Sequence, residues 1–331
     1  MAVLITGGGM IGSLVAAKLI KEGKTPIIYD TAPPMEHLKT VLDVDEVKIV
    51  RGDILDVFDL VNVIKKENID YIIHTAGLLL SGVRARPYAG VQINIMGTLN
   101  VLEAARILGI KRVVFFSTGL VQAGVLDSPI DKQPNEDFTM KFISHRPRSL
   151  YALTKITGEY LGLCYNELYG VDFVGLRIGS VFGPWKGLTS GLPGRFIDQF
   201  VKRAVAGEPP LIDEKFMTYE GGMEFVYAKD CANAAVIACD RDKNQMKTKI
   251  YRISGSKMYS FQEVIGLMEK IFPKFKIPVD QIDKKVTSVL PGASATPYDK
   301  TRSEKELGYI PQYDLEVAVR DYATWLKHHY L

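Results

Sequence analysis

Short apolar runs alternate with longer amphipathic segments along the chain as far as Pro184. The runs predict six strands, at Val3–Thr6, Pro26–Asp30, Val47–Val50, Tyr71–His74, Arg112–Ser117 and Asp172–Arg177. Between them, apolar residues recur near the helical period and predict helices at Ile11–Lys21, Val57–Lys66, Gln92–Leu108 and Tyr151–Tyr169. Strands that are apolar throughout and separated by helices indicate a parallel sheet covered on both faces. The pattern therefore predicts a doubly wound α/β fold.

The rhythm of the sequence changes after Pro184. A stretch rich in glycine and serine, Gly187–Gly194, predicts a loop, and Arg195–Ala206 predicts a helix. We expect Glu224–Tyr227 and Asp230–Cys239 to form a strand–helix pair that returns to the main sheet. Further elements are predicted at Lys249–Ile253, Ser260–Ile271 and Leu315–His328. These elements predict a Rossmann-like dinucleotide-binding domain at residues 1–184, with a returning segment near 222–240, and a smaller C-terminal substrate-binding lobe formed mainly by 185–331.

Composition and charge exclude several classes of protein. The chain has 331 residues, 47% of them hydrophobic and 24% charged, which is an ordinary soluble composition. Its 41 basic and 38 acidic residues leave a net charge of +3, so nothing favours nucleic-acid binding. No apolar run approaches the ~20 residues of a membrane span, and the N-terminus lacks the basic region of a signal peptide. Neither the three cysteines nor the five histidines have metal-ligand spacing, so we expect reduced thiols, no metal and a cytoplasmic protein.

A glycine-rich loop follows the first strand and opens the first helix. Gly7, Gly9 and Gly12 fit the G-x-G-x-x-G spacing, which lets backbone approach a pyrophosphate at a helix N-terminus. Asp30 ends the second strand 18 residues after Gly12, near the ~20-residue offset of the carboxylate that binds an adenosine ribose. No arginine occurs in Thr31–Pro34, so the sequence favours NAD over NADP as the cofactor.

Acid–base chemistry is indicated by Tyr151 and Lys155, which lie one turn apart on one predicted helix face. A phenol has a pKa of ~10, and a nearby ammonium group together with a cationic nicotinamide favours the phenolate. Ser117 and Thr118 end the fifth strand, where the carboxyl ends of parallel strands line the ligand crevice. A hydroxyl there can hold a substrate oxygen beside the tyrosine.

In their order along the chain, these motifs resemble the extended short-chain dehydrogenase/reductase family, which includes NAD-dependent epimerases and dehydratases. The resemblance extends over Thr6–Gly12, Asp30, Gly52–Ile54, His74–Gly77, Asn94–Ala105, Ser117–Thr118, Tyr151 with Lys155, Leu176–Pro184, Phe225–Asp230 and Glu306–Pro311. It departs from the family in one respect, because many members have one residue more in the glycine loop.

The resemblance implies roles for individual residues. Tyr151 would be the acid/base, Lys155 its electrostatic partner and ribose ligand, and Thr118 or Ser117 the hydroxyl that orients the substrate. The implied cofactor-binding residues are Gly7, Gly9, Met10, Ile11, Asp30, Asp53, Ile54, Ala76, Gly77, Asn94, Tyr151, Lys155 and Ile178. The implied substrate-binding residues are Leu79, Ser81, Ser117, Thr118, Ser180 and Arg195. In such proteins the two long helices pair across a two-fold axis, so a homodimer is expected.

Three branches of the family differ at diagnostic positions. Dehydratases have Thr-Asp-Glu where Thr118 is followed here by Gly119 and Leu120, so that branch is excluded. Nucleotide-sugar epimerases usually have an arginine for the substrate phosphate where this chain has Met223, although Arg195 or Arg177 could serve instead. Short-chain L-threonine dehydrogenases resemble this chain at 146–148, 76–79 and 269–277, but their Gly-Thr-Thr-Asp segment is not matched at 187–191.

The sequence therefore predicts an NAD-dependent oxidoreductase that transfers hydride between a secondary alcohol or ketone and NAD. The alternative is a nucleotide-sugar 4-epimerase that keeps NAD bound. A non-catalytic NAD-binding regulator is disfavoured, because a sensor needs no acid/base set. The loop Leu78–Ser81 suits a less polar substrate if it is exposed near the nicotinamide, and is only core if it is buried.

Overall fold

The computed structural model describes residues 1–123, 135–137, 149–187, 192–211, 222–276 and 297–330. Seven strands form the main sheet: β1 Ala2–Thr6, β2 Thr25–Asp30, β3 Lys48–Arg51, β4 Tyr71–His74, β5 Arg112–Thr118, β6 Phe173–Ile178 and β9 Ile250–Ile253. They lie in the order β3-β2-β1-β4-β5-β6-β9, and all neighbours are parallel. The order reverses between β1 and β4, which opens the crevice where doubly wound sheets bind ligands. The predicted fold class is confirmed.

Helices cover both faces of this sheet. They are α1 Met10–Lys21, α2 Met35–Val41, α3 Val57–Lys66, α4 Leu80–Ala85, α5 Pro87–Val91, α6 Gly97–Leu108, α7 Leu120–Ala123 and α8 Leu150–Tyr169. In the second half of the chain, the described helices are α9 Leu192–Ala206, α10 Ala228–Asp240, α11 Phe261–Ile271 and α12 Leu315–His329. A π-helical turn, Gln92–Met96, precedes α6, so the single helix predicted at Gln92–Leu108 is interrupted near its start.

A second, smaller sheet contains β7 Ser180–Phe182, β8 Gly222–Tyr227 and β10 Met258–Ser260. The prediction that Glu224–Tyr227 returns to the main sheet is therefore wrong: β8 pairs with β7 and β10, and the segment predicted at Lys249–Ile253 supplies β9 instead. An apolar run indicates that a strand is buried but does not specify its partner. Helix α10 does return, and packs against α1. The division into residues 1–184 and 185–331 stays a prediction.

Helix α8 lies unusually close to the sheet. A Cβ atom at Gly162 would be 2.2 Å from the Phe173 ring, and one at Gly158 would be 2.6 Å from the Phe115 ring. Ser149 caps the start of the helix by accepting a hydrogen bond from the Ala152 amide at 3.1 Å. The helix is thus fixed at its start and along its length, with Tyr151 in its first turn.

A second apolar core is formed by α9, β8, α11 and α12. Within this group of elements, the Tyr227 hydroxyl donates to Asp321 at 2.5 Å. The Trp325 indole of α12 donates to the Thr40 carbonyl of α2 at 3.2 Å, which connects α12 to the helices of the main sheet. Across the described part of the chain, no helix has the length and apolar character that crossing a membrane requires.

Candidate active site

The glycine loop between β1 and α1 forms one wall of the crevice. Gly7 has a φ of +89°, and a Cβ atom there would be 2.9 Å from the Ala76 backbone. A Cβ atom at Gly12 would be 1.9 Å from the Gly7 carbonyl oxygen, whereas one at Gly9 would meet no heavy atom within 4 Å. Gly7 thus permits a tight turn, Gly12 permits close packing of the helix, and Gly9 leaves open space for a ligand, as a pyrophosphate-binding loop requires. Met10 and Ile11 form the first turn of the helix that follows.

Asp30 shapes this loop as well as facing it. Its Oδ2 accepts a hydrogen bond from the Gly8 amide at 2.7 Å and its Oδ1 one from the Ala32 amide at 2.8 Å. Each carboxylate oxygen keeps a further lone pair for a ribose hydroxyl. Arg51, which sequence reasoning missed, pairs with Asp30 in the sheet and donates from Nε to the Thr31 carbonyl at 3.0 Å. The exposed Arg51 guanidinium therefore lies beside Thr31–Pro34, the segment that itself contains no arginine.

On the predicted adenine side, Asp53 is exposed and Ile54 is buried. The Asp53 carboxylate accepts from the Leu55 amide at 2.9 Å, while Ile54 packs where Gly97 has no side chain. The Tyr29 hydroxyl, 3.0 Å from the Asp53 carbonyl oxygen, supports the loop from below. These contacts hold the loop in place, and binding of adenine there stays a prediction.

Asn94 connects the loop after β4 to α8. Its Oδ1 accepts from the Leu78 amide at 2.7 Å, and its Nδ2 donates to the Leu78 carbonyl at 2.9 Å and to the Thr154 hydroxyl at 3.1 Å. A Cβ atom at Gly77 would be 3.0 Å from Asn94 Oδ1 and 3.4 Å from Lys155 Nζ. Gly77 thus permits Asn94 and Lys155 to approach the same stretch of backbone.

Thr118, Tyr151 and Lys155 meet at the carboxyl end of β5. The Thr118 hydroxyl lies close enough to the buried Tyr151 phenol to lower its pKa. The Lys155 ammonium group, also buried, donates to the Phe116 carbonyl at 2.9 Å and lies 4.9 Å from the centroid of the Phe115 ring. A phenol, a hydroxyl and an ammonium group on neighbouring elements can orient a carbinol oxygen and accept its proton.

The pKa values of this set differ from the sequence-based expectation. Burial raises the pKa of Tyr151 to about 12, and the Thr118 hydroxyl offsets only part of the rise. Burial also lowers the pKa of Lys155 to about 8, although the Glu159 carboxylate acts in the opposite direction. The chain's own groups therefore leave the pKa of this phenol above its ordinary value.

Of the two predicted hydroxyls, the structure brings Thr118 to Tyr151 and turns Ser117 away. Ser117 Oγ donates to Glu159 Oε1 at 2.5 Å. The buried Arg177 guanidinium donates to the same carboxylate, from Nε at 2.9 Å and from Nη2 at 2.7 Å. Successive side chains of a strand point to opposite faces, which separates the two hydroxyls. Arg177, an alternative phosphate ligand from the sequence, is thus bound into a buried ion pair.

The other predicted substrate residues lie in or just before α4, on β7 and on α9. Leu79 is 45% exposed and Ser81 is exposed in α4, so the loop that precedes this helix is not core. Ser180 begins β7, and Arg195 is exposed on α9. Ile178, predicted at the cofactor, is buried opposite Thr118 in the sheet.

At the positions that distinguish the epimerase branch, Met223 and Glu224 are both buried. One Glu224 carboxylate oxygen accepts a hydrogen bond from the Tyr298 amide at 3.1 Å. Neither side chain brings a positive charge to the crevice. Within the described ranges, no group of three or more histidine, cysteine or acidic side chains could hold a metal ion.

Comparison with known proteins finds one matching family, a relative in sequence and similar solved structures. The NAD dependent epimerase/dehydratase family matches residues 3–254. UDP-glucuronate 4-epimerase of Thermodesulfobacterium geofontis is 28% identical over 340 residues, which cover 98% of this chain and 95% of that protein. The solved structure of L-threonine dehydrogenase from Clostridium difficile has a TM-score of 0.81 at 21% identity, covering 99% of this chain and 98% of that one. UDP-glucuronic acid 4-epimerase from Bacillus cereus, solved with UDP-glucuronic acid and NAD, has a TM-score of 0.74 at 25% identity over 100% of both chains.

Proposed function

Because the chain belongs to the NAD-dependent epimerase/dehydratase family, we propose that it oxidises a secondary alcohol to a ketone, or catalyses the reverse reduction, with release of the reduced cofactor. NAD is its cofactor. The glycine loop, with open space at Gly9 and a carboxylate at Asp30, fits the pyrophosphate and ribose of such a dinucleotide.

The juxtaposition of Thr118 with Tyr151, with Lys155 one turn further along α8, is the observation that supports this function best. Thr118 orients the carbinol oxygen, and the Tyr151 phenolate takes its proton as the C–O bond becomes a carbonyl. NAD, held by the glycine loop and Asp30, would supply the acceptor for the hydride that leaves the same carbon. Lys155 favours the phenolate and holds the nicotinamide ribose, while Asn94 keeps α8 and the loop after β4 in register.

Charge favours a dehydrogenase over a nucleotide-sugar 4-epimerase. A nucleotide diphosphate is best recognised by arginine or lysine. Met223 is uncharged and Glu224 has the wrong sign, while Arg177 is occupied by Glu159. Arg195 is the sequence-predicted cation that remains, and it is exposed on α9.

A UDP-glucuronate 4-epimerase is the second candidate. It is favoured by the relative that is 28% identical over 98% of the chain. The same three residues would serve it, because an epimerase removes and returns one hydride at a single carbon. The two candidates therefore differ in whether the reduced cofactor is released.

Net formation of NADH separates the two functions. The purified protein is incubated with free NAD and either L-threonine, 3-hydroxybutyrate or UDP-glucuronate, and NADH absorbance is followed while the sugar nucleotides are resolved by chromatography. A dehydrogenase accumulates NADH with one of the alcohols. An epimerase converts UDP-glucuronate to its 4-epimer without net NADH, and this result would replace the first proposal by the second.

We also propose a cytoplasmic homodimer, formed through α6 and α8. Large apolar side chains are exposed along α8 and around α6, namely Met96, Ile107, Leu150, Leu153, Tyr160, Leu168 and Tyr169. Isologous pairing of such faces is the commonest form of assembly. The cysteines Cys164, Cys231 and Cys239 are all free thiols, which agrees with a reducing compartment.

A further inference from the structure

Arg252, on β9, is a buried cation whose hydrogen-bonding capacity is only partly used. It is 5% exposed, and its Nε and Nη1 atoms are buried without a hydrogen-bond partner. The guanidinium lies flat on the Tyr298 ring, 3.5 Å from its centroid. No carboxylate of the described residues forms an ion pair with it. Its neighbour in the sheet, Arg177, is by contrast fully engaged by Glu159.

The guanidinium lies beside the reaction centre. A Cβ atom at Gly119 would be 2.1 Å from Arg252 Nη1 and 2.8 Å from its Cζ, so the group occupies the space that a side chain at 119 would fill. Gly119 directly follows Thr118, and consecutive Cα atoms are about 3.8 Å apart. The guanidinium therefore packs against the residue that directly follows Thr118.

Among the described residues, the carboxylates near Arg252 are engaged by other groups. Glu136 accepts a hydrogen bond from the Arg252 backbone amide at 2.9 Å, and the other oxygen of this carboxylate is 3.8 Å from Arg302. Glu224 contacts the Tyr298 amide rather than the guanidinium. A buried, unpaired cation is costly to a folded protein, and that cost is recovered when a bound anion supplies the missing charge.

We infer that Arg252 binds a carboxylate that the substrate carries close to its reacting carbinol. The inference rests on the proposed function, because Thr118 and Tyr151 define where the carbinol oxygen lies. A diphosphate distant from the reacting carbon does not fit this position, since the guanidinium packs against Gly119, the residue after Thr118. The required chemistry is present both in a 3-hydroxy acid and in a nucleotide-linked hexuronic acid, and Arg252 selects either against its uncharged counterpart.

Binding to the NAD-loaded protein tests the inference without requiring turnover. Isothermal titration in the Tyr151→Phe background is carried out with L-threonine, 3-hydroxybutyrate, UDP-glucuronate and UDP-glucose. We expect one carboxylate class to bind, and Arg252→Met to weaken that binding about 10–100-fold, as loss of one charge-assisted pair predicts. UDP-glucose, which lacks the carboxylate, should bind both proteins equally. The two acyclic acids and UDP-glucuronate distinguish the two sources of the carboxylate.

A second substitution tests the position of the guanidinium. Gly119→Ala places a methyl group where Nη1 lies, so it should reproduce the loss caused by Arg252→Met while leaving Arg252 in the chain. Gly266→Ala is the matched control, because a Cβ atom there meets nothing within 4 Å. The unfolding temperature separates binding from structure: Arg252→Met removes an unpaired buried charge and should not lower it.

The outcomes distinguish this inference from the proposed function. If wild-type protein forms NADH but Arg252→Met keeps its affinity for the carboxylate, the inference is wrong and the dehydrogenase stands. If no NADH or epimer forms while carboxylate binding still depends on Arg252, the inference stands and the redox function fails. Wild-type protein that binds no carboxylate compound better than UDP-glucose would overturn the inference outright.

Discussion

In the proposed mechanism, proton transfer depends on a single phenol whose burial opposes its ionisation. Because burial holds the pKa of Tyr151 at about 12, oxidation should rise with pH through an apparent pKa that falls only when oxidised NAD is bound. Tyr151→Phe keeps the ring and removes the proton acceptor. Turnover should fall by ~10²–10⁴, the pH-dependent limb should disappear, and NAD affinity should stay nearly unchanged. Steady-state rates across pH and a direct NAD titration measure the three effects.

Tyr169→Phe is the control for this substitution, since Tyr169 lies on the same helix and is 56% exposed. It should leave both turnover and the pH profile as they are in the wild type. A Tyr151→Phe protein with wild-type turnover and the same pH limb would remove the proposed mechanism.

Lys155 is kept at a cost in stability. Its pKa is about 8 in the folded chain and has an ordinary value of 10.5, so the unfolded chain binds the proton more tightly. Stability should therefore rise with pH between those two values and be lowest below them. Lys155→Met should raise the free energy of unfolding at neutral pH by about 1–3 kcal/mol while weakening NAD binding and turnover. Urea unfolding at several pH values tests this.

The exposed Lys39→Met should change neither stability nor NAD binding, because Lys39 is 57% exposed in α2. A Lys155→Met protein that is less stable than the wild type at neutral pH would contradict this prediction. It would show that the hydrogen bond to Phe116 stabilises the ammonium group by more than its burial costs.

Cofactor choice is decided by opposing charges at the end of β2. Asp30 should repel a 2′-phosphate, so NAD should bind more tightly than NADP by about 2–4 kcal/mol. Asp30→Ser should reduce the difference in binding free energy between NAD and NADP, because it removes the carboxylate and leaves the exposed Arg51 guanidinium beside the Thr31 carbonyl. Adding Arg51→Ala to Asp30→Ser should weaken NADP again. Equal affinities of the wild type for NAD and NADP in a direct titration would contradict the role of Asp30.

Candidate site residues could be predicted where two of them lie in one motif with a defined spacing. They could not be predicted as well where the partner is distant in sequence. Tyr151 and Lys155 lie on one face of a helix, so their spacing sufficed. Ser117 and Thr118 are adjacent and chemically alike, and only the face of the strand separates them. Arg252 gave no signal, since its proximity to Gly119 depends on three neighbouring strands.

At the scale of elements, the close approach of α8 to the sheet depends on glycine. Gly162→Ala should destabilise the fold by about 1–3 kcal/mol, because the methyl group would lie 2.2 Å from the Phe173 ring. This loss should outweigh the ~1 kcal/mol by which alanine favours a helix over glycine. Turnover should also fall, since Tyr151 is carried by the same helix. Chemical denaturation gives the free energy, and steady-state kinetics give the rate.

Gly266→Ala in α11 is the matched control, as it adds the same methyl group to a helix with open space. It should leave turnover unchanged and stabilise the protein by up to ~1 kcal/mol. Equal effects of the two substitutions would mean that α8 can move away from the sheet at little cost.

Element boundaries were predicted closely, whereas strand partners were not. The helix predicted at Tyr151–Tyr169 is observed at Leu150–Tyr169. Glu224–Tyr227 was equally recognisable as a strand, yet it pairs with β7 and β10. Local periodicity reports which side chains are buried, while pairing depends on the edge that the rest of the chain leaves open.

At the scale of the whole molecule, the two faces of α8 have different proposed roles, one in catalysis and one in dimer formation. Its buried face presents Tyr151 and Lys155 to the crevice, and its outer face exposes a stripe that includes Leu153, Tyr160 and Leu168. In a dimer this stripe would be covered. Tyr160→Glu should therefore convert a dimer into a monomer, which light scattering at micromolar concentration detects, because a charge buried at an apolar interface is costly.

Phe58 provides the comparison for this prediction, since it is 81% exposed on α3, away from the stripe. Phe58→Glu should leave the dimer intact, whereas a surface that associates through any exposed apolar side chain would respond to both substitutions. The glycine loop follows β1, which β4 separates from the strands that α8 covers, β5 and β6, and Tyr160 is on the outer face of α8. The Tyr160→Glu monomer should therefore keep wild-type NAD affinity. A wild-type protein that is already monomeric would refute the assembly, while leaving the chemistry of Thr118, Tyr151 and Lys155 untouched.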